Sequence, residues 1–313
     1  MNFKAMNFAI ASLVLSAVQA NIFYFGHELG RAEDEPFERR FDQLEERRTG
    51  RGVAWDTWDC QNVTLLPDDI RAEFPLANFY RKYTHAYGIP IISSDAPQDA
   101  ALTRACYVVR FLLADRKDVR DAMYDSYGRV GVIGEHEKTT DIPEHSYLSD
   151  LWNQRARALG GIPSRPISTD GEENLLCADY WHDGWWEEDV LVHEFSHAIH
   201  LVALREADAT FNQRLEDTYR EATQVKGLWK GTYSRQNHRE YFAEGVQAFF
   251  NVKTRKEFID DVNNLIYTRE ALHDYDRPLY DLIAEVFPCK NIIVDRCDNQ
   301  DLAAKQKLRM DCD

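Results

Sequence analysis

The chain has 313 residues, 44% of them hydrophobic and 12% aromatic, enough to bury a sizeable core in one large domain or two closely packed lobes. Its formal charge of -16 argues against a nucleic-acid partner, because phosphate binding needs a basic surface.

The N-terminus reads as a secretory signal over residues 1–20. Lys4 gives a short basic region, "FAIASLVLSAV" an apolar run, and "VQA" ending at Ala20 a cleavage site with small residues. The apolar run is too short to span a bilayer comfortably, and no later stretch is long and apolar enough for a stable membrane span. Residues 21–56 form a charged N-terminal segment. Its "RAEDEPFERRFDQLEERRTGR" suits either a solvated helix with opposite charges at helical spacing or a propeptide cut at Arg40, Arg48 or Arg51.

Export changes how the cysteines read. Cys60, Cys106, Cys177, Cys289, Cys297 and Cys312 contain no CxxC pair, so a cysteine metal site is not expected. An even count in a secreted chain points to three disulfides, with about fifteen possible pairings. Three of the six crowd the C-terminus, where a bridge would pin the tail at 291–313. Asn62, in "NVT", is a glycosylation sequon, which predicts a surface position.

Globular composition runs from about 57 to 290. "IRAEFPLANFYRKYTHAYG" has helical periodicity and "IPIISS" reads as a strand. "DAALTRACYVVRFLLADRKDVRDAMYD" predicts one long helix, "GRVGVIG" a short strand and "HEKTTDIPEH" a polar loop. "EENLLCADYW" suggests an extended strand. Helical patterns follow from Glu187 to about Arg205, over "RQNHREYFAEGVQAFFNVK", and over "RPLYDLIAEVF".

The first of these late helices carries "LVHEFSHAIH". Positions i and i+4 lie one turn apart on the same helix face, so His193 and His197 can chelate one ion from one rigid element. Zinc suits two imidazoles. Glu194, one step round the helix, would flank the metal as a general base for an activated water. The apolar residues around them predict a buried helix, which would not carry these polar groups without partners. His200 reads as a structural histidine.

The third ligand decides the class. A metzincin would need Gly at 200 and His at 203, where this chain has His200 and Ala203. A later helix offers Glu240 and Glu244, again i and i+4. One can bind the metal and the other can accept a hydrogen bond from a ligand histidine.

Here the chain resembles the gluzincin metallopeptidases, and in motif most closely the lethal-factor-like protease domain of anthrax toxin. That family follows HExGH with Y-G-R-x-N-x-x-E-F-F-A-E. Residues 233–244, "YSRQNHREYFAE", match at Tyr233, Arg235, Asn237, Glu240, Phe242, Ala243 and Glu244. Ser196 and Ser234 replace glycines of the pattern. The resemblance covers residues 191–250 and implies Glu240 as third ligand, Glu244 as the acid behind a ligand histidine, and Tyr233 as the group that steadies an oxyanion. The fold it implies is α+β and zincin-like, with a small sheet lobe, then a mostly helical lobe, and the metal between them.

The expected protein is a secreted, zinc-dependent endopeptidase acting on a peptide or protein. The substrate would lie extended near Asn174–Cys177. Rival readings are a binding protein on an inactive peptidase fold, a zinc hydrolase of a non-peptide bond, and a secreted structural protein without metal.

Overall fold

The computed structural model describes residues 54–178, 187–298 and 300–310. The expected signal peptide and almost all of the charged segment lie outside them, as does Cys312.

The architecture is α+β around a five-stranded mixed sheet in the order β1-β2-β3-β4-β5. Strand β1 (Thr64–Leu65) is followed by helix α1 (Asp68–Glu73), then β2 (Lys82–Ala86) and β3 (Ile89–Ser93). The helical periodicity expected through "FYRKYTHAYG" is therefore corrected. Pro75 stops the helix just after Phe74, and Lys82–Ala86 pairs antiparallel with β3. Ala86 and Ile89 pair across a two-residue turn, with Tyr87 at φ 57 and Gly88 at φ +78. Left-handed conformation at both positions gives the turn whose twist matches a hairpin. The buried hydroxyl of Tyr87 donates to the Arg110 carbonyl at 2.9 Å, anchoring the turn.

The expected long helix is two, α2 (Asp99–Leu112) and α3 (Lys117–Asp125). Arg120 donates to the carbonyls of Leu113 and Ala114 at 3.0 and 2.9 Å, satisfying acceptors where α2 ends. The two helices make the crossover to β4 (Arg129–Ile133), which lies parallel to β3. A chain of turns leads to β5 (Ile167–Gly171), parallel to β4. Strands β3, β4 and β5 are buried at every position, as parallel strands covered on both faces are. The strand expected at "EENLLCADYW" is displaced: β5 ends at Gly171 and the short helix α4 (Glu172–Leu175) follows.

After residue 187 the described chain is helices, turns and loops. Helix α5 (Val190–Ala198) runs into a π-helical turn (Ile199–Leu204) and the short α6 (Arg205–Ala207). Then come α7 (Phe211–Arg220), α8 (His238–Phe249), α9 (Arg269–Tyr275) and α10 (Arg277–Val286).

The tail is part of the domain. Arg104 donates to the Val294 carbonyl at 2.7 Å, Val294 N–H donates to the Tyr107 hydroxyl at 2.8 Å, and α11 (Gln300–Lys305) follows. Cys60 is bridged to Cys106 and Cys177 to Cys297, and Cys289 is also disulfide-bonded. The Cys177–Cys297 bridge pins the tail as expected. Asn62 is exposed. Among the described residues, no helix is long and apolar enough to cross a membrane.

Candidate metal centre

Helix α5 is held rigidly at its start. Asp189 caps it, accepting from Val192 N–H at 3.3 Å, and its other oxygen meets buried Arg104 at 2.6 Å. The Asn174 amide accepts from Val190 N–H and donates to the Glu188 carbonyl, both at 3.0 Å. Leu191, Val192, Phe195 and Ala198 sink into the core, while His193 and His197 are each 8% exposed. Ser196 stands where the resembling family has glycine, and its hydroxyl donates to the Val192 carbonyl at 2.6 Å.

Helix α8 begins at Asn237, whose side chain accepts from Arg239 and Glu240 N–H at 2.8 and 3.1 Å. The capping residue thus fixes the first turn, and the first turn carries Glu240. Gly245 lets α8 approach α10 closely; a Cβ there would lie 2.8 Å from Ile283 and 2.9 Å from Leu279.

The two helices bring His193, His197 and Glu240 together as a group that could hold a metal ion. His193 Nε2 lies 3.0 Å from Glu240 Oε2, His197 Nε2 lies 3.2 Å from His193 Nε2, and His197 Nε2 lies 3.4 Å from Glu240 Oε2. An ion with bonds of about 2.0–2.1 Å to tetrahedral donors needs them roughly 3.3 Å apart. The three donor atoms already have that spacing.

The electrostatics also favour a cation. Burial works against a charged His193, yet the Glu240 hydrogen bond and the charges of Glu194, Glu240 and Glu244 outweigh it and hold the ring up to about 10. Glu194 is partly buried, and burial raises its pKa against the lowering charges of His193 and His197. Tyr233, on a single helical turn (Tyr233–Arg235), has its ring centre 6.3 Å from that of His193. Burial, then the charges of Glu240, Glu194 and Glu244, raise its pKa well above the usual phenol value, so it remains an O–H donor.

Behind His193, Nδ1 faces Gln247 Oε1 at 3.1 Å and Glu244 Oε1 at 3.5 Å. Glu244 is also 2.5 Å from the fully buried Lys253 ammonium. The sequence reading missed Gln247, Lys253 and Glu188. Gln247 had a signal: it follows Glu244 by three and Glu240 by seven, on the same helix face. Lys253 lies beyond the helix, where periodicity says nothing. His200 binds Asn212 Oδ1 through Nε2 at 2.9 Å and packs on Phe211 and Phe242, as a structural histidine.

The extended edge near the site is not Asn174–Cys177, since Asn174 sits in α4 and braces α5. It is the strip around Gly160. Leu159 exchanges backbone hydrogen bonds with Thr169 of β5, at 3.3 and 2.9 Å, and a Cβ on Gly160 would lie 2.6 Å from His197 Cβ. Ser168 ties the layers together, accepting from Gly161 N–H at 3.1 Å and donating to the Glu194 carbonyl at 2.9 Å.

Comparison with protein-family models and with curated proteins finds no match for this chain.

Proposed function

We propose that this protein is a secreted, zincin-like endopeptidase that uses zinc held by His193, His197 and Glu240. The observation that carries this reading is the spacing of those three donor atoms with Glu194 beside them on α5. Two imidazoles and one carboxylate suit zinc, with one coordination position left open. The ion would supply Lewis acidity toward water and toward a carbonyl oxygen.

The chain's own groups do the rest. Glu194, with its pKa raised by burial, takes a proton from water and returns it to the leaving amine. Tyr233 keeps its proton and donates to the oxygen on which charge develops. Leu159 directs its backbone N–H and C=O toward β5, so in an antiparallel strip those of Gly160 face the other way. An extended substrate can add there as a further strand, next to His197. The disulfides fit an oxidising compartment, and exposed Asn62 is available for glycosylation.

The test is metal analysis of purified protein, followed by digestion of a peptide library with and without a zinc chelator. Stoichiometric zinc and chelator-sensitive cleavage are expected. Protein that neither contains nor takes up zinc refutes the metal. A zinc-loaded protein that cleaves no peptide refutes the peptidase.

A further inference from the structure

We propose that Gln247, rather than Glu244, is the positioning residue that fixes the tautomer and orientation of His193. This rests on the reading of His193 as a metal ligand. A histidine that binds a metal through Nε2 must carry its proton on Nδ1, and whatever Nδ1 faces decides whether that form is favoured.

Both candidates lie behind the ring. The acid four positions after the third ligand is the partner the sequence suggested, but Glu244 stands 3.5 Å from Nδ1 and has Lys253 2.5 Å from its other oxygen. Gln247 Oε1 is nearer, at 3.1 Å. An amide could in principle turn either face to the ring, so its own surroundings must decide. The Gln247 nitrogen lies 3.2 Å from the backbone carbonyl of Asp189 and 3.3 Å from Glu188 Oε2. A carbonyl oxygen is an acceptor in every protonation state. Turning the amide over would set oxygen against oxygen at Asp189 in a buried site, and Gln247 is only 1% exposed. The amide nitrogen must therefore point at Asp189 and its oxygen at His193. An acceptor fixed in that way requires Nδ1 to keep its proton, so Nε2 is the nitrogen that gives up its own when a metal binds.

Asp189 is also the residue that caps α5 and holds Arg104. Gln247 thus ties the ring of the first ligand to the start of the helix that carries it, while Glu244 balances the buried ammonium.

The test reads the Nδ1 proton directly. In metal-free protein with 15N-labelled histidine, the His193 Nδ1–H should give a slowly exchanging, hydrogen-bonded signal. Gln247→Met, close in volume, should lose it. The paired variant Glu244→Gln with Lys253→Met, which removes both charges together, should keep it. If the methionine variant does not fold, Gln247→Asn draws the amide back by one methylene and should lose the signal too. Zinc affinity, measured by competition with a chromophoric chelator, should fall about 10- to 100-fold in Gln247→Met. Persistence of the signal in the Gln247 variants, or its loss in the paired variant alone, overturns the inference, as does an unchanged zinc affinity in Gln247→Met. Wild-type protein that binds no zinc but shows the Gln247-dependent signal would refute the metal reading and leave only the assignment of Gln247 as the hydrogen-bond partner of His193.

Discussion

Lys253 makes the sharpest prediction about stability. Its side chain is 0% exposed and its ammonium lies 2.5 Å from a Glu244 carboxylate that is itself 5% exposed. Glu188 is buried close by, and burial, followed by the charge of Glu244, pushes its pKa up to about 7 against the opposing charges of His193 and Lys253. Replacing Lys253 by Met keeps most of the stem and removes its charge. Glu244 then loses its nearest counter-charge and is left with the His193 ring at 3.5 Å, beside another acid. Breaking a buried pair from one side typically costs about 3–5 kcal/mol, and for a domain of this size that is a fall in melting temperature on the order of 10 °C. Adding Glu244→Gln removes the orphaned charge and should recover most of the loss, because replacing both partners of a buried pair is often close to neutral. Thermal melts with chelator present keep metal binding from contributing. A Lys253→Met variant that melts within about a degree of wild type, or a double variant no more stable than the single one, would mean that the pair does not confine its charges.

Glu194→Gln should keep zinc and lose turnover, checked by metal analysis beside a peptide cleavage assay; undiminished cleavage would remove Glu194 as the base. Tyr233→Phe should leave zinc affinity unchanged and lower kcat by about 10²- to 10³-fold, as loss of an oxyanion donor does. Gly160→Ala should push the edge strip outward, since the Cβ contact with His197 would be 2.6 Å and helix α5 is packed into the core. KM should rise and the melting temperature fall in the same variant, with overpacking costing about 1–3 kcal/mol. Acid should destabilise the protein through two buried histidines. Burial holds His145 down to about 4 and His200 down to about 3, so both are neutral when folded, whereas an unfolded ring takes its proton near pH 6.5. Their contribution is present above about pH 6.5 and is lost as pH falls toward about 4 and 3 respectively, at up to about 1.4 kcal/mol per pH unit per ring. Denaturant midpoints between pH 7 and pH 4 should flatten by about one proton in His145→Asn.

The candidate site was legible because α-helical geometry repeats faithfully. Once "HEFSH" and "REYFAE" are read as helices, i and i+4 put His193 with His197 and Glu240 with Glu244 on single faces. The sheet was less legible. "RKYTHAYG" alternates too weakly to declare a strand, and its hairpin turns on Tyr87, a residue that rarely adopts positive φ. Strand β5 hides behind its composition: Ser168, Thr169 and Asp170 are polar yet fully buried, so neither alternation nor an apolar run marks it. The partners behind the ligands depend on contacts between distant segments. Gln247 faces Asp189 and Lys253 faces Glu244 only because α5, α8 and the turn after α8 pack together, and no local pattern encodes that.

The Cys177–Cys297 bridge spans a sequence separation of 120 residues. The residues grouped at the candidate metal centre, from Glu188 to Lys253, lie inside that ring of chain, while the strip around Gly160 lies outside it. Closing so long a loop restricts the unfolded chain by about 5 kcal/mol on the chain-entropy account. It also changes what a cut means. A single nick anywhere between the two cysteines opens the ring but frees no fragment, so both ends of a damaged chain stay covalently joined. Helices α5 and α8 would thereby stay on one covalently joined molecule after a first cleavage.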